Sequence, residues 1–194
     1  MPGRIVILNG APRSGKTTLV RAIQSHIPGF WINWGVDAFN ATLPVALFPG
    51  IGLRPGGERP DLEPHVAALY GAFFAHMARL AYAGFDVVAD LGLHTDYAVP
   101  FDPITILADE LAGLSTLLIG VDCDLDTIMA RRNADPQNGR YLGGSDVPPP
   151  VARWQEAVHR GKTYDLRVNM AMLTPEDGAR HIAERLGAQV IDQN

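Results

Sequence analysis

Ile5-Val6-Ile7-Leu8-Asn9-Gly10-Ala11-Pro12-Arg13-Ser14-Gly15-Lys16-Thr17-Thr18 is the stretch that decides the fold. Ile5 to Leu8 is a short apolar run, mostly β-branched, the mark of a strand buried on both faces. Gly10 to Thr17 then fits the pattern Gly-x-x-x-x-Gly-Lys-Ser/Thr in full. Glycines at those places let backbone N–H groups close around phosphate oxygens, and the start of the next helix adds a favourable dipole. Lys16 is expected to reach the β- and γ-phosphates of a nucleoside triphosphate, and the Thr17 hydroxyl to ligate Mg²⁺. The candidate nucleotide-binding residues are therefore Gly10, Ala11, Pro12, Arg13, Ser14, Gly15, Lys16, Thr17 and Thr18. The competing reading is a glycine-rich turn carrying a solvated lysine.

Outward from that loop, Thr18 to Ile27 reads as a helix stopped by Pro28-Gly29, and Phe30 to Trp34 as a short strand. Ala38 to Leu43 reads as one or two helical turns, and Pro44 to Pro64 as an irregular excursion. His65 to Ala83 has the strongest helical period, with Val66, Leu69, Phe73, Met77 and Leu80 at spacings of three and four. Asp86 to Leu91 follows as a strand. Pro103 to Leu111 is a helix with Asp102 as its N-cap, and Ser115 to Val121 a strand. Asp124 to Asn133 is a helix, residues 134–150 a glycine- and proline-rich segment, and Val151 to His159 a helix. Leu166 to Met170 closes the set of strands, and Thr174-Pro175-Glu176-Asp177 opens the last helix in the manner of a capping box. Strands alternating with helices imply βαβ units around a mostly parallel sheet, whose ligands bind beyond the carboxyl ends of the strands.

The predicted architecture is thus α/β: a three-layer P-loop NTPase, nucleoside monophosphate kinase-like, with a central mostly parallel five-stranded sheet. Helices cover both faces and a lid segment completes it. The whole chain, 1–194, reads as a single domain, with an acceptor-binding excursion at approximately 38–64 and the lid at approximately 131–150.

The bulk composition narrows the chemistry. With 194 residues, 47% apolar and 19% charged, the chain can bury a core. A net charge of −5 without any Lys/Arg run argues against nucleic acid as a partner. One cysteine, Cys123, excludes an internal disulfide and a cysteine-based zinc site. No stretch approaches the ~18 apolar residues of a membrane span, and the N-terminus lacks the apolar core of a signal peptide. The expected setting is cytoplasmic, without a membrane partner; oligomeric state is not written in the sequence.

Three features favour transfer of a phosphoryl group over switching or motor work. The first is negative: the chain is small, and Asn-Lys-x-Asp, the guanine-reading motif, is absent. The second is Asp37, at the end of the second strand and so at the cleft rim. It can accept the proton of an attacking hydroxyl, or simply cap the short helix after it. The third is the segment from Arg131 to Arg140. Arginines around a flexible glycine/proline stretch suit a lid that neutralises transferring phosphate, so Arg131 and Arg140 join Asp37 and Lys16 as candidate catalytic residues. Ordinary solvated arginines are the alternative. Asp90, closing Val87-Val88-Ala89, has the placement of a Walker-B-type carboxylate near Mg²⁺; a cap, or a pair with His94, is the other use. Thr17 and Asp90 are the metal candidates. His94, His65 and His76 read as packing or surface residues. Trp31, Trp34, Phe39, Phe48, Phe73 and Phe74 offer either an aromatic acceptor wall or, for Phe73 and Phe74, helix core.

These residues together resemble the chloramphenicol 3-O-phosphotransferases. The likeness rests on Ile5 to Lys16, Gly35-Val36-Asp37, Ala83-Gly84 leading to Val87-Val88-Ala89-Asp90, Gly120-Val121 with Cys123-Asp124, Arg131, and His159 with Tyr164-Asp165-Leu166. It runs from residue 4 to about 185. The resemblance implies ATP-dependent phosphorylation of a small-molecule hydroxyl, with chloramphenicol or a related antibiotic as candidate acceptor and Asp37 as general base. Departures are local: Leu91 stands where the family has a second acid, and Tyr164-Asp165-Leu166-Arg167-Val168-Asn169 replaces Tyr-Asp-Leu-Glu-Val-Asp. The acceptor-side segment 40–63 matches weakly, and that is where acceptor selectivity resides. A kinase of another small metabolite or of a nucleotide, and a nucleotide-binding regulator without transfer activity, are the competing functions.

Overall fold

Every residue of β1 (Ile5–Asn9) is buried, because this strand lies at the centre of the sheet and alternates its side chains between two covered faces. The structure, a computed structural model, describes residues 1–135 and 144–190. Its five strands run in the order β2-β3-β1-β4-β5, where β2 is Trp31–Asn33, β3 Asp86–Leu91, β4 Thr116–Asp122 and β5 Leu166–Asn169. All pairings are parallel, so the expected mostly parallel sheet is wholly parallel among the described residues. Leu8 sits beside Asp90 and Ile119, and Asn9 beside Leu91 and Gly120, which brings the loops after β1, β3 and β4 to one edge.

Ile5 and Ile7 face a layer built by α3 (Glu63–Tyr82) and α4 (Pro103–Glu110). Val6 and Leu8 face the other, built by α1 (Lys16–His26) and α7 (Pro175–Leu186). Tyr70, Phe73, Phe74 and Met77 of α3 are fully buried against Val87, Ala89 and Leu91. That places Phe73 and Phe74 in the core rather than in an acceptor wall; Phe39 and Trp31 are buried as well. Burial of such side chains, each contributing about 1.5–3 kcal/mol, holds the layers together. The caps read from sequence are present: Asp102 accepts from the Ile104 N–H at 3.0 Å, and Thr174 from the Asp177 N–H at 3.1 Å.

Several boundaries differ from the sequence reading. The first helix begins at Lys16, so the end of the phosphate loop is already its first turn. α2 is Val36–Asn40, earlier than expected, with Gly35 as its N-cap and Asp37 inside its first turn. The excursion after it contains two short 3₁₀ turns, Val45–Leu47 and Gly50–Gly52. α5 spans Leu125–Ala134 and α6 Pro149–Ala157. Residues 131–134 are therefore the last turn of α5 and 149–150 the first of α6; of the segment expected as a lid, Arg140 lies outside the described residues. No helix among the described residues is long and apolar enough to cross a membrane.

Candidate active site

Two residues of the loop after β1 adopt left-handed backbone, Arg13 at φ 69° and Gly15 at φ 102°. Alternation of this kind curls a chain so that successive amides face one concavity, an arrangement suited to anions. Behind it the first turn of α1 leaves N–H groups without intrahelical partners. The Ser14 side chain is buried and its hydroxyl has no hydrogen-bond partner among the described residues. An orphaned hydroxyl inside such a cradle fits a phosphate oxygen. Gly10 is required for a different reason: a Cβ there would lie 2.5 Å from the Val121 carbonyl oxygen.

Lys16 lies across the loop, its Nζ donating to the carbonyls of Gly10 and Ala11 at 2.8 Å each. Burial of the ammonium lowers its pKa to about 8, against the opposing pull of the Asp90 and Asp37 carboxylates. One lysine thus senses both acids singled out from the sequence. Asp37 is exposed, and its carboxylate makes no hydrogen bond or ion pair among the described residues. Gly35, not Asp37, stands at the N-cap of α2, and no side chain caps it. The capping alternative for Asp37 is therefore not used.

Asp90 accepts from the Thr17 hydroxyl at 2.9 Å, while the Thr18 hydroxyl bonds back to the Gly15 carbonyl at 2.7 Å. The pair Thr17 and Asp90 offers two hard oxygens, which suits a divalent cation whose remaining ligands are phosphate and water. No cluster of three or more His, Cys, Asp or Glu that could hold a metal occurs among the described residues. Asp90 does not pair with His94. The histidine is fully buried, with Nε2 2.8 Å from the Leu53 carbonyl and Nδ1 accepting from the Asp96 N–H at 3.2 Å.

Arg131 departs from the role of a cation on an open lid. Its Nη1 donates to the Arg13 carbonyl at 3.1 Å and its Nη2 to the Met170 carbonyl at 2.7 Å. In this arrangement it braces the phosphate loop from outside, and Cys123 lies beside it, 3.5 Å from Nη1. Arg13 in turn pairs with Asp135 at 3.1 Å, fastening the loop to the end of α5.

Gly35 and Asn9 entered the sequence reading only as part of the family likeness, and their contacts were not foreseen. Gly35 packs so closely that a Cβ would fall 1.9 Å from Asp90 Oδ1. Asn9 is fully buried, and its amide joins Leu93, Val158 and Tyr164. The available signal was an asparagine closing a strand buried on both faces, since a buried amide demands partners.

Solved structures of similar fold include several kinases. Mycobacterium tuberculosis APS kinase CysC, in complex with AMPPNP and APS, shares 16% identity at a TM-score of 0.60, over 96% of this chain and 98% of that one. A Deinococcus radiodurans tunicamycin resistance protein shares 15% at 0.61, over 98% and 99%. Aquifex aeolicus shikimate kinase shares 14% at 0.51, over 94% and 96%. At such identities the likeness establishes the fold. No curated protein matches the chain. The sequence model of the chloramphenicol phosphotransferase-like proteins matches residues 3–187, nearly the whole chain, so this protein belongs to that family of phosphotransferases.

Proposed function

We propose that the protein is an ATP-dependent kinase that moves the γ-phosphate to a hydroxyl of a small molecule, with Mg²⁺ held by Thr17 and Asp90. The observation that carries this reading is the unpaired Asp37 carboxylate, close enough to Lys16 for the two charges to interact at the mouth of the phosphate loop. Asp37 takes the proton of the acceptor hydroxyl as its oxygen bonds to the γ-phosphorus, and the bond from that phosphorus to the ADP oxygen breaks. Lys16 and the loop amides bear the charge that spreads over the phosphate oxygens. Magnesium, bound at Thr17 and Asp90, would supply further neutralisation of those oxygens. Arg131 keeps the loop in shape through the Arg13 carbonyl, and Arg140 is the proposed lid cation.

Chloramphenicol and related hydroxylated antibiotics are the first acceptors to try, on the strength of the family. The cytoplasm is the proposed site of action. The test is ADP release against a panel of hydroxylated antibiotics and metabolites, run with the wild type, Lys16→Ala and Asp37→Asn. Lys16→Ala is expected to abolish turnover. Asp37→Asn should keep ATP binding and lose roughly 10²-fold or more in kcat, the scale of general-base removal. An Asp37→Asn enzyme at full speed ends the base assignment, and a wild type that releases ADP with no acceptor of the panel favours a regulator.

A further inference from the structure

On the α3/α4 face, the carboxyl ends of β1, β4 and β5 are covered by a polar network rather than by apolar packing. Asn9 is its centre. The Leu93 N–H donates to Asn9 Oδ1 at 2.6 Å, and Asn9 Nδ2 donates to the Val158 carbonyl and the Tyr164 hydroxyl oxygen, both at 2.8 Å. The Tyr164 hydroxyl is 2.8 Å from His159 Nδ1 and 3.1 Å from the Val158 carbonyl. His159 Nε2 faces Asp122 Oδ1 at 3.5 Å, and Arg167 Nε donates to Asp122 Oδ2 at 2.9 Å. Gly120 leaves room for the tyrosine ring, since a Cβ there would lie 2.9 Å from it.

The segments joined in this way all border the cleft. Asn9 immediately precedes the phosphate loop, and Leu93 follows the strand that carries Asp90. Val158 ends α6, whose other contacts reach the acceptor side: the Trp154 ring covers Gly92 and meets His94 edge-on at 5.3 Å. Arg153 approaches the Pro55 carbonyl at 3.5 Å and Glu58 at 3.7 Å. α6 therefore spans from the base of the phosphate loop to the excursion after α2.

We propose that Asn9 and Tyr164 are positioning residues for phosphoryl transfer, locking the end of α6 to the strand that launches the phosphate loop through the direct bond from Asn9 to the Val158 carbonyl and the Tyr164 hydroxyl that joins both. The proposal rests on the kinase reading above. Asn9 sets the spacing between the loop of Lys16 and the loop after Asp90, and the Tyr164 hydroxyl keeps its amide oriented. Release of that hydroxyl leaves the phosphate cradle intact but lets the groups around it drift, and misalignment on the ångström scale lowers the rate of the chemical step rather than nucleotide affinity.

Tyr164→Phe removes the hydroxyl alone. Tyr70→Phe is the control: it removes the hydroxyl of a fully buried tyrosine, bonded to the Ile51 carbonyl at 3.1 Å, away from the loop. The readouts are Mg·ATP affinity by calorimetry, steady-state ATP hydrolysis with water as acceptor, and amide hydrogen exchange. In Tyr164→Phe the KM for ATP stays within about twofold and kcat falls by about tenfold, the scale of losing one or two hydrogen bonds. Amides of residues 149–164 exchange about tenfold faster while those of α3 are unchanged. Tyr70→Phe alters neither kcat nor exchange at 149–164. Unchanged kcat and unchanged exchange overturn the proposal, as does acceleration that includes α3, which marks general loosening. If the wild type binds no Mg·ATP, the kinase reading falls, and exchange at 149–164 still decides whether the lock exists.

Discussion

Thr17 and Asp90 stand 73 residues apart in sequence and 2.9 Å apart in the fold, the threonine hydroxyl donating to Asp90 Oδ2. The contact joins the first turn of α1 to the end of β3 and sets two oxygens side by side at the edge of the phosphate cradle. Asp90→Asn keeps an acceptor for Thr17 and removes the charge. Asp90 is also the stronger of the two charges that sustain the proton on Lys16, so its loss weakens the lysine too. Expected is a fall of roughly 10²-fold in kcat, the scale of removing one electrostatic stabiliser of the transition state. Metal-free ADP binding should persist while the gain from added Mg²⁺ disappears. Calorimetry with and without chelator checks this, and an undiminished Mg²⁺ effect removes Asp90 from the metal site.

Gly35 shows why the carboxylate stays where it is. Its backbone is ordinary extended chain, φ −86° and ψ 177°, so any residue could adopt it. Space is the constraint: an alanine Cβ would meet Asp90 Oδ1 at 1.9 Å and Cγ at 3.1 Å. Gly35→Ala is expected to fold and to swing Asp90 away from Thr17, with activity reduced in the same direction as in Asp90→Asn. The combined variant should then be little worse than either alone, because both act on one carboxylate. Additive losses would separate the two residues.

Lys16 makes nucleotide binding pH-dependent. With its pKa lowered to about 8, the free protein holds this lysine protonated below that pH and progressively neutral above it. Phosphates stabilise the ammonium and raise its pKa, so binding near pH 8.5 takes up a proton. Above about pH 7, where the ADP phosphates are fully ionised, affinity for ADP is expected to fall as pH rises through 8. Calorimetry at pH 8.5 in two buffers of different ionisation enthalpy should give different heats; identical heats would show that no proton accompanies the nucleotide.

The phosphate loop and its flanking elements were legible because short-range chemistry specifies them. An apolar run, a glycine-lysine pattern and the caps Asp102 and Thr174 act within a few residues. The five strands followed for the same reason. Long-range partnerships were not legible. Asn9 meets Tyr164 across 155 positions, and Arg131 reaches back 118 positions to the Arg13 carbonyl, where the sequence suggested a lid. Which aromatics form core depended on α3 facing the sheet, and its helical period gave only that some would. The start of α2 was misplaced because Gly35 and Val36 carry no helical signal of their own; the turn is fixed by Gly35 packing on Asp90.

His94 ties the excursion after α2 to the loop after β3, and it does so only as the neutral ring. The Asp96 N–H donates to Nδ1 at 3.2 Å, so Nδ1 carries a lone pair and Nε2–H donates to the Leu53 carbonyl at 2.8 Å. A second proton would have to sit on Nδ1, against a donor. Burial holds its pKa below the ordinary 6.5, so between that value and the native pKa the unfolded chain binds the proton and the native one does not. Stability is therefore full above about pH 6.5 and falls as pH drops through the window, by up to about 1.4 kcal/mol per pH unit for one proton. Burial shifts His159 in the same direction, so the His94 share must be read as a difference. His94→Phe keeps a ring between Tyr97 and Trp154 without a titrating group. Urea unfolding at pH 7.5 and 5.0 should find this variant weaker at pH 7.5, having lost both hydrogen bonds, yet less sensitive to acid than the wild type. Parallel losses in the two proteins would assign the acid sensitivity elsewhere.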